Sequence, residues 1–243
     1  MYTIDEMNSW SYKKAWLFFS KNDYKKDIPE ARKYLYDLPF CLTEDLRCDE
    51  HAREKILAAF QRKSLVLIDG ASLNGKSTLA QRLSKVSNVS VVDIDIICQD
   101  WIEKQLANCS NSFSRISFFF NIEALTDEYI YNNLERIIKE KSAKGSVVLV
   151  GSYMQLITRA IISKTLGKYF DQVVSIYCCA KTFDEVKVMK RKREQQFGST
   201  ATDEQVLEEY NYAKQLLENN GIVLGLGMNY SFISDNSVTN KFI

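Results

Sequence analysis

Short apolar runs, rich in β-branched residues, punctuate the chain after its first quarter. They fall at 65–69, 89–94, 147–150 and 173–178, with a shorter one at 230–234. Between them, apolar residues recur three or four positions apart, the spacing of a helix with one buried face. The pattern predicts helices from the end of a loop near 76 to about 86, then at 96–107, 122–141, 154–166, 183–196 and 203–219. A polar, Asn- and Ser-rich segment covers 108–115. Gly145 stops one predicted helix and starts the next strand. Strands that are apolar along their whole length, alternating with helices, imply a parallel sheet covered on both faces. Residues 1–63 carry no such run. Trp10, Trp16, Phe18 and Phe19 suggest one amphipathic helix, 31–36 a second, and Thr43-Glu44-Asp45 a cap for a third that runs through Ile56, Leu57 and Phe60. The expected organisation is a helical extension, 1–63, packed on an α/β domain, 64–243. A separate partner-binding role for 1–63 is the alternative.

The first strand breaks into Gly70-Ala71-Ser72-Leu73-Asn74-Gly75-Lys76-Ser77-Thr78 and continues as a helix. A Gly-x-x-x-x-Gly-Lys-Ser run between a strand and a helix has the make-up of a phosphate-binding loop. Backbone N–H groups in such a loop converge on phosphate oxygens, and the helix N-terminus adds positive potential. Lys76 is expected to reach the β- and γ-phosphates, and Ser77 to offer its hydroxyl to Mg²⁺. An ordinary glycine turn with a solvated lysine is the competing reading.

Composition narrows the class. Formal net charge is +1, so bulk electrostatics do not suit a protein that coats nucleic acid. The six cysteines form no Cys-x-x-Cys pair, and His51 is the single histidine, which makes a Cys/His zinc site a poor fit. A reducing, cytoplasmic setting is expected, with no membrane span.

Asp93 and Asp95 close the second strand. Ligands of an open parallel sheet bind beyond the carboxyl ends of its strands, so this pair is delivered to the edge that carries the loop. Phosphoryl transfer to an alcohol needs a carboxylate to take the hydroxyl proton, and often another on the metal side. Two aspartates one residue apart can divide these roles, with Asp95 a candidate for the catalytic step and Asp93 for organising the metal; which of them is the base stays open. The bland alternative makes Asp95 a helix N-cap and leaves Asp93 bonded to Ser77 alone. Lys187, Lys190, Arg191, Lys192 and Arg193 crowd the helix after the fourth strand, and Arg191 and Arg193 are candidates to neutralise the transferring group. A solvated basic face is the alternative. The segment from Gln195 to Thr200 can hinge a lid. Arg115 and Arg159 are candidate acceptor contacts. The third strand ends in Gly151-Ser152-Tyr153 with no acid to activate water, which argues against a hydrolytic motor.

Taken together, the loop at 70–77, the Asp-x-Asp at 93–95, the basic helix at 187–193 and the closing Phe232-Ile233-Ser234-Asp235-Asn236-Ser237 resemble the P-loop kinases of small molecules and nucleotides. The resemblance covers about 65–236. The Asp-x-Asp looks like that of shikimate kinases and zeta-type toxin kinases. The closing run is similar to that of nucleoside and dephospho-coenzyme-A kinases, which implies that Asp235 and Asn236 lie beside the adenine. The resemblance implies a three-layer sandwich whose five-stranded parallel sheet has the order 2-3-1-4-5. It also implies ATP and Mg²⁺ as cofactors, and a small-molecule, nucleotide or nucleotide-sugar acceptor. The chain departs from the pattern in three places. Its lid region lacks the spaced arginines of adenylate kinases, 96–145 matches no acceptor region of these families, and 1–63 lies outside their common core. A nucleotide-dependent switch or ATPase, and an ATP-binding module that only recruits a partner, stay open as alternatives.

Overall fold

The computed structural model describes residues 6, 14, 57–70, 73–86, 88–107, 127–151, 162, 164–178, 182–198, 202–208, 210–211 and 231–233. The runs at 64–69, 89–93, 146–150 and 172–178 form strands β1 (Ser64–Asp69), β2 (Val89–Asp93), β3 (Ser146–Val150) and β4 (Gln172–Cys178). They pair side by side in the order β2-β3-β1-β4, all parallel, and the three-residue β5 (Ser231–Ile233) pairs parallel with β4 beyond them.

Helix α1 (Lys76–Leu83) follows β1 and packs on the sheet face formed by Val66, Ile68, Val148, Val150, Val174 and Ile176. Its own Leu79, Ala80 and Leu83 complete that layer. The alternate positions Leu65, Leu67, Val147 and Leu149 are equally buried. A side-chain period of two turns them to the other face. The chain leaves β2 and returns to the neighbouring β3 through α2 (Ile94–Ala107) and α3 (Glu128–Ser142). A right-handed return from the edge strand places α3 on the face opposite α1. There Leu134 and Ile138 are buried. The segment 162–169 lies beside α3: Tyr131 bonds Thr165, and Glu135 accepts from both Lys168 Nζ (2.7 Å) and Tyr169 Oη (2.8 Å).

Some element ends differ from the expected ones, each for a visible reason. Helix α1 stops at Leu83, and a tight turn in which Val86 N donates to Leu83 O (3.0 Å) follows it. Helix α3 starts at Glu128 because the Asp127 carboxylate accepts from Tyr129 N and Ile130 N. The third expected helix of 1–63 is described only at its end, 57–60, where Ala59 and Phe60 join the α1-side core. The rest of 1–56, apart from Glu6 and Lys14, lies outside the described residues, as do the segments 108–126, 152–161 and 212–230.

At the amino edge of the sheet, polar groups satisfy one another. Ser64 Oγ donates to Ala59 O (2.5 Å), and Gln172 Nε2 donates to Ala59 O (2.8 Å) and Ser64 Oγ (2.9 Å). Ser64 N donates to Ser146 Oγ (2.9 Å), and Asp171 N to Lys63 O (2.8 Å).

Candidate active site

The carboxyl edge is organised differently, beginning with the backbone of the β1–α1 loop. Gly70 has φ 139°, and a Cβ on it would lie 2.1 Å from the carbonyl oxygen of Cys178. Both the dihedral and the close approach of β4 therefore demand glycine. Gly75 takes φ 87° at the N-cap of α1, and no side chain caps that helix. The N-terminus of α1 thus opens on the loop with no side-chain cap, an arrangement that suits an anion.

Lys76 opens the helix, and its Nζ reaches across the loop to donate to Gly70 O (2.7 Å). Ser77 is exposed, and Asn74, Gly75 and Thr78 are half-buried around it. Asp69, wholly buried at the last position of β1, accepts from Gly70 N (2.6 Å). Sequence reasoning passed over this carboxylate. Its signal was an acid placed directly before the first glycine. By bonding the first loop amide it fixes where the loop departs from the strand.

Leu73 sits within the loop at φ 64°, in the left-handed region. Such a dihedral costs a leucine on the order of 1 kcal/mol. Its half-buried side chain packs against a small apolar cluster of Val186, Val206 and Tyr210, separate from the main core, which Phe183 also flanks. Two of these residues lie on α4 (Phe183–Phe197), and two lie on the helical segments at 203–208 and 210–211.

Strand β2 passes into α2 with no intervening loop. Asp93 is the last strand residue, and its Oδ1 accepts from Asp95 N (2.9 Å). Asp93 therefore does the capping that the bland reading gave to Asp95. Asp95 lies in the first turn of α2, one step beyond the strand, and is exposed. Burial, and then the neighbouring Asp95 charge, push the Asp93 carboxyl above its usual value, while the Asp95 amide and the Lys76 ammonium pull it back. Lys76 and Asp93 thus lie in one another's field across the sheet edge. Cys98, one turn into α2, is buried, and desolvation with the two aspartates pushes its thiol up to about 12. It stays protonated and unreactive at neutral pH.

The basic stretch of α4 divides into two sets. Lys187 Nζ pairs with Asp184 (2.5 Å), and Lys190 Nζ pairs with Glu194 (2.9 Å) and Asp203 (2.6 Å). Lys190 is only 9% exposed, so its task is to hold α4 against the next helix. Arg191, Lys192 and Arg193 are exposed. Lys187 first, and Arg191 more weakly, hold the Asp184 carboxyl below its usual value; Lys190 first, with Lys187 and Arg191, does the same for Asp203. Bonds fix both the end of α4 and the start of the helical segment at 203–208. Gly198 N closes the helix on Glu194 O (2.9 Å). Thr202 and Gln205 exchange side-chain-to-amide bonds (3.0 and 3.3 Å), a reciprocal cap for the following helix.

The structure therefore gathers Gly70, Leu73, Asn74, Gly75, Lys76, Ser77, Thr78, Asp93 and Asp95 along one edge of the sheet. It sets Arg191 and Arg193 on the exposed side of α4. Ala71, Ser72, Arg115, Arg159, Asp235 and Asn236 lie outside the described residues. Among the described residues no helix is long and apolar enough to cross a membrane.

No protein-family model matches the chain, and no curated protein sequence matches it. Solved structures similar to it include one of the Pnkp1/Rnl/Hen1 RNA repair complex. That match has 17% identity and TM-score 0.45, and covers 65% of this chain and 46% of the other. A shikimate kinase from Acinetobacter baumannii, solved in complex with shikimate, matches at 16% identity and TM-score 0.38, covering 76% of this chain and 90% of that one. What the site can do follows from its own residues.

Proposed function

We propose that the protein is an ATP-dependent phosphotransferase that moves the γ-phosphoryl group to a hydroxyl of a small metabolite, nucleotide or nucleotide sugar. The observation that carries this reading is the loop itself. Gly70 and Gly75 bend it, α1 opens on it without a side-chain cap, and the Lys76 ammonium hangs across it from Gly70 O. Few other arrangements concentrate so much donor capacity in so short a segment.

In this reading the loop amides and Lys76 bind the β- and γ-phosphates and offset the charge that builds on them. Mg²⁺ fits the remaining donors. It takes oxygen ligands, keeps several waters, and is held through one or two protein groups plus phosphate oxygens. The exposed Ser77 hydroxyl and the Asp93 carboxylate supply such oxygens. The bound cation would add positive charge beside the phosphates.

Asp95, exposed beside this edge, accepts the proton of the acceptor hydroxyl. The freed oxygen bonds to the γ-phosphorus as the bond to the β–γ bridging oxygen breaks, and ADP leaves with that oxygen. Arg191 and Arg193 approach the phosphates when α4 swings over the loop. Asp235 and Asn236 border the adenine, while Arg115 and Arg159 hold the acceptor. Residues 1–63 carry the contact with a protein partner.

The test combines calorimetry with Mg-ATP and mass analysis of a metabolite extract incubated with labelled ATP. Asp95→Asn should bind Mg-ATP within about threefold of wild type and lose roughly 10³-fold in transfer rate. Near-normal turnover in that variant would remove Asp95 from the chemistry. Fast ADP release that ignores every acceptor would favour an ATPase instead.

A further inference from the structure

The apolar knot that receives Leu73 has no part in the phosphate chemistry, yet it joins the phosphate loop to two helices. Val186 is wholly buried in it, and Val206 and Tyr210 nearly so; the Phe183 and Tyr210 rings meet tilted by 43°, with centroids 5.8 Å apart. On the polar side the same two helices are clasped by Lys190, which reaches both Glu194 and Asp203. The reciprocal cap of Thr202 and Gln205 fixes the start of the second helix. The pair is thus held together twice, and a swing at Gly198 would have to break the Lys190 bridge to Asp203. Leu73 is held in a backbone conformation that glycine adopts far more readily, and its side chain enters the knot.

We infer that Leu73 is a positioning residue that latches the phosphate loop to the helical pair 183–211, so that anion binding in the loop sets the placement of the basic helix. The two helices then respond together, and Arg191 and Arg193 move with them. This coupling rests on the loop being a nucleotide site, although the packing link does not.

Hydrogen exchange across 183–211 tests both parts, with and without Mg-ATP, in wild type, Leu73→Gly and Leu73→Met, each checked for fold by circular dichroism. Without nucleotide, Leu73→Gly should speed exchange at 203–211 by about tenfold, whereas Leu73→Met should stay near wild type. With Mg-ATP, 203–211 should gain protection in wild type and Leu73→Met. In Leu73→Gly that gain should vanish although calorimetry still shows binding. The steady-state signature is a fall in kcat with KM for ATP changed by less than about threefold. Val206→Ala, which opens the knot from its other side, should reproduce the Leu73→Gly pattern. Equal nucleotide-free exchange in wild type and Leu73→Gly would overturn the latch. Equal Mg-ATP protection in the two would overturn the coupling. Absence of any Mg-ATP binding to wild type would instead overturn the phosphotransferase reading, leaving the latch to be judged on the nucleotide-free samples.

Discussion

The two edges of the sheet are made of the same strands and obey opposite rules. At the amino edge, Ser64, Ser146, Gln172 and Ala59 O close a ring of short hydrogen bonds in which each group finds a neutral partner. At the carboxyl edge, the same strands end in Asp69 and Asp93, the loop turns through positive φ at Gly70, Leu73 and Gly75, and a lysine is suspended over it. One edge lowers its own free energy. The other gathers charge and left-handed backbone into one short stretch, as sites that bind and react do. Changes at the first edge should therefore alter stability and spare activity, and changes at the second should do the reverse or worse.

The harshest way to break this contrast is Gly70→Ala. A methyl group there must displace the Cys178 carbonyl, so β4 and the loop separate. We expect a loss of about 3 kcal/mol or more in denaturant titrations, together with loss of Mg-ATP binding. Unchanged stability would mean that the loop and β4 are not tightly apposed. Ser64→Ala probes the quiet edge. It removes the hydroxyl shared by Ala59 O and Gln172, and should cost about 2 kcal/mol while leaving kcat intact.

The gentlest probe is Asp93→Asn, which retains an N-cap for α2 but removes the charge. The folded carboxyl lies above its ordinary value of 3.8, so the native state holds its proton more tightly than the unfolded chain does. Stability therefore falls as pH rises through that window. The variant should melt at a higher temperature than wild type at neutral pH. That gain should fade as pH drops to the ordinary carboxylate range and below. A variant less stable than wild type at pH 7 would place the stabilising charge balance at the wrong edge.

Much of this contrast was legible in the residues alone. Four strands could be read because each is apolar along its length, which is what burial on both faces requires. The glycine-bent loop between β1 and α1 could be read because its glycines and lysine are separated by a fixed number of bonds. What escaped reading was set by contacts distant in sequence. The capping role of Asp93 depends on β2 running directly into α2, and strand and helix patterns overlap at Ile94 without a marker. The division of the basic helix depends on Asp203, which only the packing of two helices brings to Lys190. Leu73 read as an ordinary loop position because its partners, Val186, Val206 and Tyr210, lie more than a hundred residues away.

The seamless passage from β2 to α2 has a consequence for how such a protein can change. Ile94 is wholly buried immediately after Asp93, so the junction has no slack. Inserting one residue there would wind Asp95 about 100° around the helix axis and carry it away from the edge that bears the β1–α1 loop. The carboxylate pair is therefore fixed in azimuth by the sheet itself, and sequence change that spares its angle must fall in other chain segments.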